Sequence, residues 1–278
     1  MDQIETAASP TSMHDFVPLP SLPLDRIICG DNCEVMRTLP SESIDLVVTS
    51  PPYDDLRTYG GHSWDFYGVA WNLKRLLKPG GVVVWVVADA TKDGSETGSS
   101  MRQALHFQSI GLNIHDTMLY MRDSPFPDSV RYKQCWEYSF VFSKGKPKGG
   151  CILKDRPNVY AGKPLLGTVR KSGTENEMVS VHGTGKLIAD EGQRYNAWYY
   201  WNSKTGEANR HPAPFPEALA RDHILSWSNE GDVVLDPFSG SGTTARMAKD
   251  NGRRFIGIEV NPEYVEISQQ RLAQGVLF

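Results

Sequence analysis

The chain has 278 residues, 29 Lys and Arg against 33 Asp and Glu for a net charge of −4, and 40% apolar side chains, enough for a substantial core with one catalytic domain and a smaller insertion. No apolar run approaches the roughly 20 residues of a membrane span and the amino terminus lacks a basic-then-apolar signal pattern, so a membrane protein is excluded and a cytoplasmic one expected. Cys29, Cys33, Cys135 and Cys151 show no C-x-x-C spacing, which points to reduced thiols and away from a disulfide framework or a metal site.

Residues 1–24, with Pro10, Pro18, Pro20 and Pro23 among small polar residues, are expected to form a disordered or extended arm. Strands ending at Cys29 and Val48 then alternate with helical patterns such as Trp71 to Leu77. Val82 to Val87 is apolar almost throughout, as a parallel strand covered on both faces should be. Further strands are expected over Ile114–Met121 and Tyr138–Phe142. No internal repeat is present.

From Lys144 to Arg210 glycine is frequent and periodicity poor, and the charge balance inverts to twelve basic against six acidic residues. A local excess of cations in an acidic protein suggests a surface facing polyanionic phosphate, with an ordinary solvated insertion as the alternative. Within Arg194 to Trp201 the aromatics are expected to pack the segment against the main domain, while Arg194 and Asn196 are candidate base-edge donors.

Two segments carry chemistry. Thr49-Ser50-Pro51-Pro52-Tyr53 follows the apolar run Ile44 to Val48. A Ser hydroxyl and a backbone carbonyl can together accept both hydrogens of a flat exocyclic amine. Paired prolines make a stiff rim, and Tyr53 offers a ring face to a base swung out of a helix. In isolation Ser50 to Tyr53 also fits a plain surface turn.

The second segment, Val233 to Thr244, reads as a buried strand, a glycine turn at Gly240 and Gly242, and a helix from Thr243. The next strand, Arg254 to Ile258, ends in Glu259, 23 positions after Asp236. That places a carboxylate where a ribose diol would sit, so a ligand containing adenosine is expected. No Lys stands between Asp236 and Lys249, which speaks against a phosphate-binding P-loop. A dinucleotide site fits less well, because Ala245 stands where a third glycine is usual, but it stays open.

With both motifs in this order, the chain resembles the permuted β group of DNA amino-methyltransferases, which use S-adenosylmethionine. The resemblance spans roughly Arg26 to Ser143 and Arg210 to Gln274. It implies an α/β fold with a doubly wound, mostly parallel, Rossmann-like sheet. The catalytic half would be 25–143, the target-recognition insertion 144–209 and the cofactor-binding half 210–278. Ser50, Pro51, Pro52 and Tyr53 would be catalytic. Asp31 would meet the cofactor adenine; Asp236, Phe238, Gly240, Gly242, Thr243 and Glu259 would line the cofactor site; His211 and Phe215, in the segment running to Glu217, would approach its methionine end.

Around this site Arg57 is a candidate phosphate contact or a partner for Asp54 or Asp55, and His62, Trp64 and Asp65 fall in a loop over the cleft. Ser before Pro-Pro accompanies N4 methylation of cytosine in the family, and Asp or Asn accompanies N6 methylation of adenine. The reading is therefore N4-cytosine methylation of duplex DNA by base flipping, with N6-adenine methylation and a non-catalytic DNA- or cofactor-binding protein as alternatives. The resemblance also admits a homodimer and a cognate restriction endonuclease.

Overall fold

The computed structural model describes residues 21–53, 64–122, 131–200 and 216–274. In chain order the first part runs β1 (Arg26–Cys29), α1 (Asn32–Thr38), β2 (Ile44–Thr49), α2 (Phe66–Leu76), β3 (Leu77–Val87), β4 (Thr91–Lys92), β5 (Ser95–Glu96), α3 (Ser99–Ser109), β6 (Asn113–Met121) and β7 (Trp136–Ser143). The insertion holds β8 (Arg156–Pro157), β9 (Thr168–Arg170), β10 (Met178–Ser180) and β11 (Glu191–Gly192), followed by β12 (Ala197–Tyr199). The chain continues through α4 (Glu217–Trp227), β13 (Val233–Asp236), α5 (Thr243–Asp250), β14 (Arg254–Glu259) and α6 (Pro262–Ala273). No helix among the described residues is long and apolar enough to cross a membrane.

Eight strands form one sheet in the order β1-β14-β13-β2-β3-β7-β6-β12. Pairing is parallel from β1 through β3, antiparallel on both sides of β7, and parallel again between β6 and β12. Only β7 therefore runs against the other strands of this sheet. The doubly wound, mostly parallel α/β architecture expected from the sequence is the one observed.

Alternation within β3 shows why its sequence is apolar throughout. Val83, Trp85 and Val87 pack into a core layer with Met36, Leu73, Leu76 and Phe107. Val82, Val84 and Val86 pack on the opposite face with Leu219, Ile224, Ala245 and Ala248. Helices cover both faces, so no residue of Val82 to Val87 meets solvent, and each buried side chain contributes about 1.5–3 kcal/mol relative to exposure. The strand begins earlier than the apolar run, since Leu77 already pairs with Ile44 and the ladder is irregular as far as Leu46.

Topology places the site. From β2 the chain crosses through α2 to β3 on one side, and from β13 through α5 to β14 on the other. The connections diverge between β2 and β13, and in open sheets of this type ligands lie outside the carboxyl ends of the strands at that switch point. Those ends are Thr49 and Asp236. Because β7 is reversed, its first residues, Trp136 to Tyr138, reach the same edge beside Val87 and Met121.

One boundary differs from the sequence reading. Ala197–Tyr199, assigned to the insertion, pairs with Leu119–Met121 as an edge strand of the main sheet. Trp198 drives this return: it is buried and stacks on His223 at 4.6 Å between ring centroids. The proline arm lies outside the described residues except for 21–24, where Leu22 and Leu24 pack against the core.

Candidate active site

Ser50 and the glycine loop meet at adjacent strand ends. Thr49 at the end of β2 donates its hydroxyl to Asp236 Oδ1 at the end of β13, 2.7 Å away and buried. The same oxygen accepts the Phe238 N–H at 3.0 Å. Burial pushes the Asp236 carboxyl up to about 6, although the Thr49 and Phe238 hydrogen bonds favour the ionised form. Asp236 thus ties the two loops together and turns inward.

Around Gly240 the backbone is folded onto Glu259. The carboxylate accepts N–H bonds from Gly240 and Asn261, both at 2.8 Å. Gly240 and Gly242 have φ of +50° and +77°, a left-handed conformation that costs side-chain-bearing residues roughly 1–2 kcal/mol. A Cβ at Gly242 would sit 2.7 Å from Ser268 Cβ, so this glycine permits contact with α6. Arg271 of α6, only 5% exposed, holds the loop from beneath. Its Nη1 donates to the Ser241 carbonyl at 2.6 Å and hydroxyl at 2.9 Å and lies 3.3 Å from Thr243 Oγ1. Its Nη2 pairs with Glu217 at 2.7 Å. Asp31, two residues past β1, is the N-cap of α1 and accepts the Glu34 N–H at 2.9 Å. Phe238 packs edge-on against Trp64 at 4.9 Å, next to Trp85.

A chain of hydrogen bonds runs from Ser50 on the other loop. Ser50 Oγ lies 2.8 Å from Tyr53 Oη, and Tyr53 Oη donates to Glu137 Oε2 at 2.8 Å. Arg122 Nε stands 2.8 Å from the other Glu137 oxygen. A carboxylate paired with arginine only accepts, and a phenol has one proton, so Tyr53 gives its proton to Glu137 and receives the Ser50 hydroxyl. Both lone pairs of Ser50 Oγ remain directed elsewhere. The charge of Glu137 is felt nearby: burial first, and then Glu137, pushes the Tyr120 phenol up to about 12.

Ser50 to Tyr53, Asp236, Phe238, Gly240, Gly242, Thr243, Glu259 and Asp31 all lie along the carboxyl-end edge. His211, Phe215, Arg57, Asp54, Asp55 and His62 fall outside the described residues. Arg194 is not a free base reader. Its guanidinium bonds Asp155 and, at 2.7 Å, Asp222, which also accepts Tyr200 Oη at 2.7 Å, and it lies over the Trp198 ring. These bonds fasten the insertion to α4, and they occupy the donors that a base edge would need. Asn196 Nδ2 donates to Asp116 Oδ1 and the Thr117 carbonyl, each at 3.3 Å. Trp198 and Tyr200 pack inward as expected of these aromatics, whereas Tyr195 and Tyr199 are exposed and Trp201 falls outside the described residues.

Sequence reading missed Glu137 and Arg271. A lone acidic residue opening the apolar run Tyr138 to Phe142 was the available signal for the first. The second offered only a basic residue in the last turn of an amphipathic helix.

The family model for N6/N4 methylases, described as DNA methylase, matches residues 44–270. The orphan methyltransferase M.BamHII of Bacillus amyloliquefaciens is 53% identical over 243 residues, covering 84% of this chain and 91% of the relative. The cytosine-N4-specific PvuII DNA methyltransferase shares the fold with a TM-score of 0.66 at 24% identity, covering 91% of this chain and 87% of that one. M1.HpyAVI, solved as a complex with SAM, does so with a TM-score of 0.56 at 23% identity, covering 89% and 99%. By the extent of the family match and the identity to its relative, the chain belongs to the N6/N4 DNA methylase family, whose members methylate exocyclic amines of DNA bases from S-adenosylmethionine.

Proposed function

We propose that this amino-methyltransferase acts on the N4 amine of cytosine in duplex DNA, with the target base extruded into the cleft between the Ser50 loop and the glycine loop. The observation that carries the reading is the Thr49–Asp236 hydrogen bond, which fixes the two loops side by side at the switch point of the sheet.

The residues present fit S-adenosylmethionine. Asp31 follows β1 by two residues and Glu259 ends β14 beside it, since Cys29 pairs with Glu259. Asp31 has one oxygen and Glu259 both oxygens oriented by backbone N–H groups, and their further lone pairs leave acceptor capacity for hydroxyl or amine donors of an adenosine. Phe238 adds an apolar wall. Asp236, Gly242 and Thr243 shape the loop from within. Bound cofactor supplies an electrophilic methyl group on a positive sulfonium.

Extruding the base costs roughly a few kcal/mol, which stacking on Tyr53 and hydrogen bonding in the cleft offset. Ser50 Oγ, its own proton committed to Tyr53, accepts one amine hydrogen, and the Pro51 carbonyl accepts the other. The amine lone pair is thereby freed from conjugation with the ring. Holding acceptor and donor in line removes much of the entropic barrier, and the two oxygens stabilise the positive charge that develops on nitrogen. Cytosine is favoured over adenine because Ser, and not Asp or Asn, precedes Pro51-Pro52.

The insertion supplies the DNA surface. β9 and β10 form an antiparallel ribbon in which all six residues are exposed, with Arg170 opposite Met178 and Thr168 opposite Ser180 on one face. A two-stranded ribbon fits the major groove, and its Arg170 replaces Arg194 as the base-contact candidate. The designation of the Bacillus relative as an orphan favours an enzyme without a restriction partner. Mass spectrometry of nucleosides after reaction with mixed-sequence duplex tests the reading. N4-methylcytosine supports it, N6-methyladenine would transfer it to the adenine branch, and cofactor binding without any methylated nucleoside would favour the binding-module alternative.

A further inference from the structure

We propose that Glu137 is the terminal acceptor of the proton that methylation releases, reached through Ser50 and Tyr53. The inference rests on the amine-methylating function above and goes beyond it by naming where the proton goes.

Transfer of a methyl group leaves the amine nitrogen with a positive charge and a far more acidic N–H. The oxygen bonded to that hydrogen is Ser50 Oγ. A serine hydroxyl cannot hold a second proton, because a protonated alcohol is itself a strong acid, so Ser50 accepts only if it releases its own proton at the same time. The structure provides the path: Ser50 Oγ to Tyr53 Oη at 2.8 Å, and Tyr53 Oη to Glu137 Oε2 at 2.8 Å. Both hydrogen bonds already point toward the carboxylate.

In the relay the amine N–H bond breaks as an O–H bond forms on Ser50. The original Ser50 proton moves to Tyr53 oxygen, and the original Tyr53 proton moves to Glu137 Oε2. Ser50 and Tyr53 end with their composition unchanged and their hydrogen bonds reversed. One proton has passed from nitrogen to carboxylate, and no electrons are exchanged. Glu137 is 9% exposed, so it can return the proton to water before the next turnover. Arg122, on its other oxygen, holds the carboxylate in place through both states.

Backbone topology made this arrangement available. Glu137 reaches the carboxyl-end edge because β7 runs against its neighbours, bringing the second residue of that strand level with Tyr120 near the end of β6. A parallel strand in the same position would present its last residues there instead. Since Glu137 acts through Tyr53 and does not touch substrate, it is a positioning and relay residue.

Single-turnover transfer of labelled methyl to duplex DNA, at saturating cofactor and DNA, tests the relay in wild type, Glu137→Gln, Tyr53→Phe and the double variant. Glu137→Gln keeps the shape and an acceptor for Tyr53, and Tyr53→Phe keeps the stacking ring. Each is expected to slow transfer by about 100-fold, within the usual range for a lost acid–base partner, with cofactor affinity unchanged within about twofold. The double variant should be no slower than the slower single, because both break one chain. Glu137→Asp, which keeps the carboxylate with a shorter reach, should recover part of the rate lost in Glu137→Gln, and it serves with Tyr53→Phe if the Gln variant does not fold. Wild-type rate in Glu137→Gln, losses that multiply in the double variant, or a Glu137→Asp variant no faster than Glu137→Gln would overturn the relay while leaving methyl transfer intact. No transfer by wild type would instead remove the function on which the relay rests.

Discussion

Replacing Arg271 by Met removes a buried guanidinium while nearly preserving its volume, and the cost can be worked from its contacts. Two short bonds to Ser241, at 2.6 and 2.9 Å, are charge-assisted and buried, each worth about 1.5–3 kcal/mol. The Thr243 contact at 3.3 Å adds little. Glu217 is 56% exposed on the side-chain scale, so that pair contributes at most about 1 kcal/mol. Methionine recovers part of the sum, because a buried charge no longer has to be desolvated. A net loss of about 3 kcal/mol is expected, a large share of the roughly 5–15 kcal/mol that such proteins possess. Urea unfolding measures it through the midpoint at constant slope. Because Arg271 holds Ser241 and Thr243 from beneath, cofactor affinity measured by calorimetry should also fall by about tenfold or more. A change below about 1 kcal/mol with unaltered cofactor affinity would refute the claim that α6 braces the glycine loop.

Gly242→Ala should destabilise by about 2–4 kcal/mol, read as a lowered thermal midpoint, since it combines a left-handed φ with a Cβ driven against Ser268. Two buried groups give opposite pH dependences. The folded-state value of Asp236 is raised from 3.8 to about 6. Its stabilising contribution is therefore complete below about pH 4, is lost as pH rises through 6, and amounts to about 3 kcal/mol. Asp236→Asn should abolish that slope in pH-resolved denaturation. His223, lowered from 6.5 to about 3 by burial, stays neutral when folded while the unfolded chain gains a proton. Stability should therefore fall as pH drops below 6.5, by about 1.4 kcal/mol per unit; His223→Phe, which can still stack on Trp198, should remove this acid sensitivity. Arg170→Ala should reduce discrimination between cognate and non-cognate duplex by about 10- to 100-fold in competition binding, whereas a uniform loss across sequences would make it a phosphate contact.

Much of the site was legible because it depends on local backbone chemistry. Pro51-Pro52 after an apolar run and Gly240-x-Gly242 after another each declare a strand end, and the sheet order makes those two ends neighbours. What stayed hidden depends on partners distant in sequence. Asp236 reads as a ligand-facing carboxylate until Thr49, 187 residues away, is seen to turn it inward. Arg194 reads as one more cation in a basic segment, but Asp155 and Asp222 neutralise it. Glu137 acquires a role only when β7 is reversed. Ala197–Tyr199 is too short to declare itself a strand without the edge of β6 to receive it.

The most direct measurement is a comparison of Ser50→Ala with wild type, following cofactor binding by calorimetry and single-turnover transfer of labelled methyl to duplex DNA in the same preparations. The account expects cofactor affinity within about twofold of wild type, because Ser50 lies on the acceptor side, and transfer slowed by at least about 100-fold, in the range for loss of an oriented hydrogen-bond acceptor. Transfer at the wild-type rate, or a loss of cofactor binding that accounts for the whole decline, would contradict it.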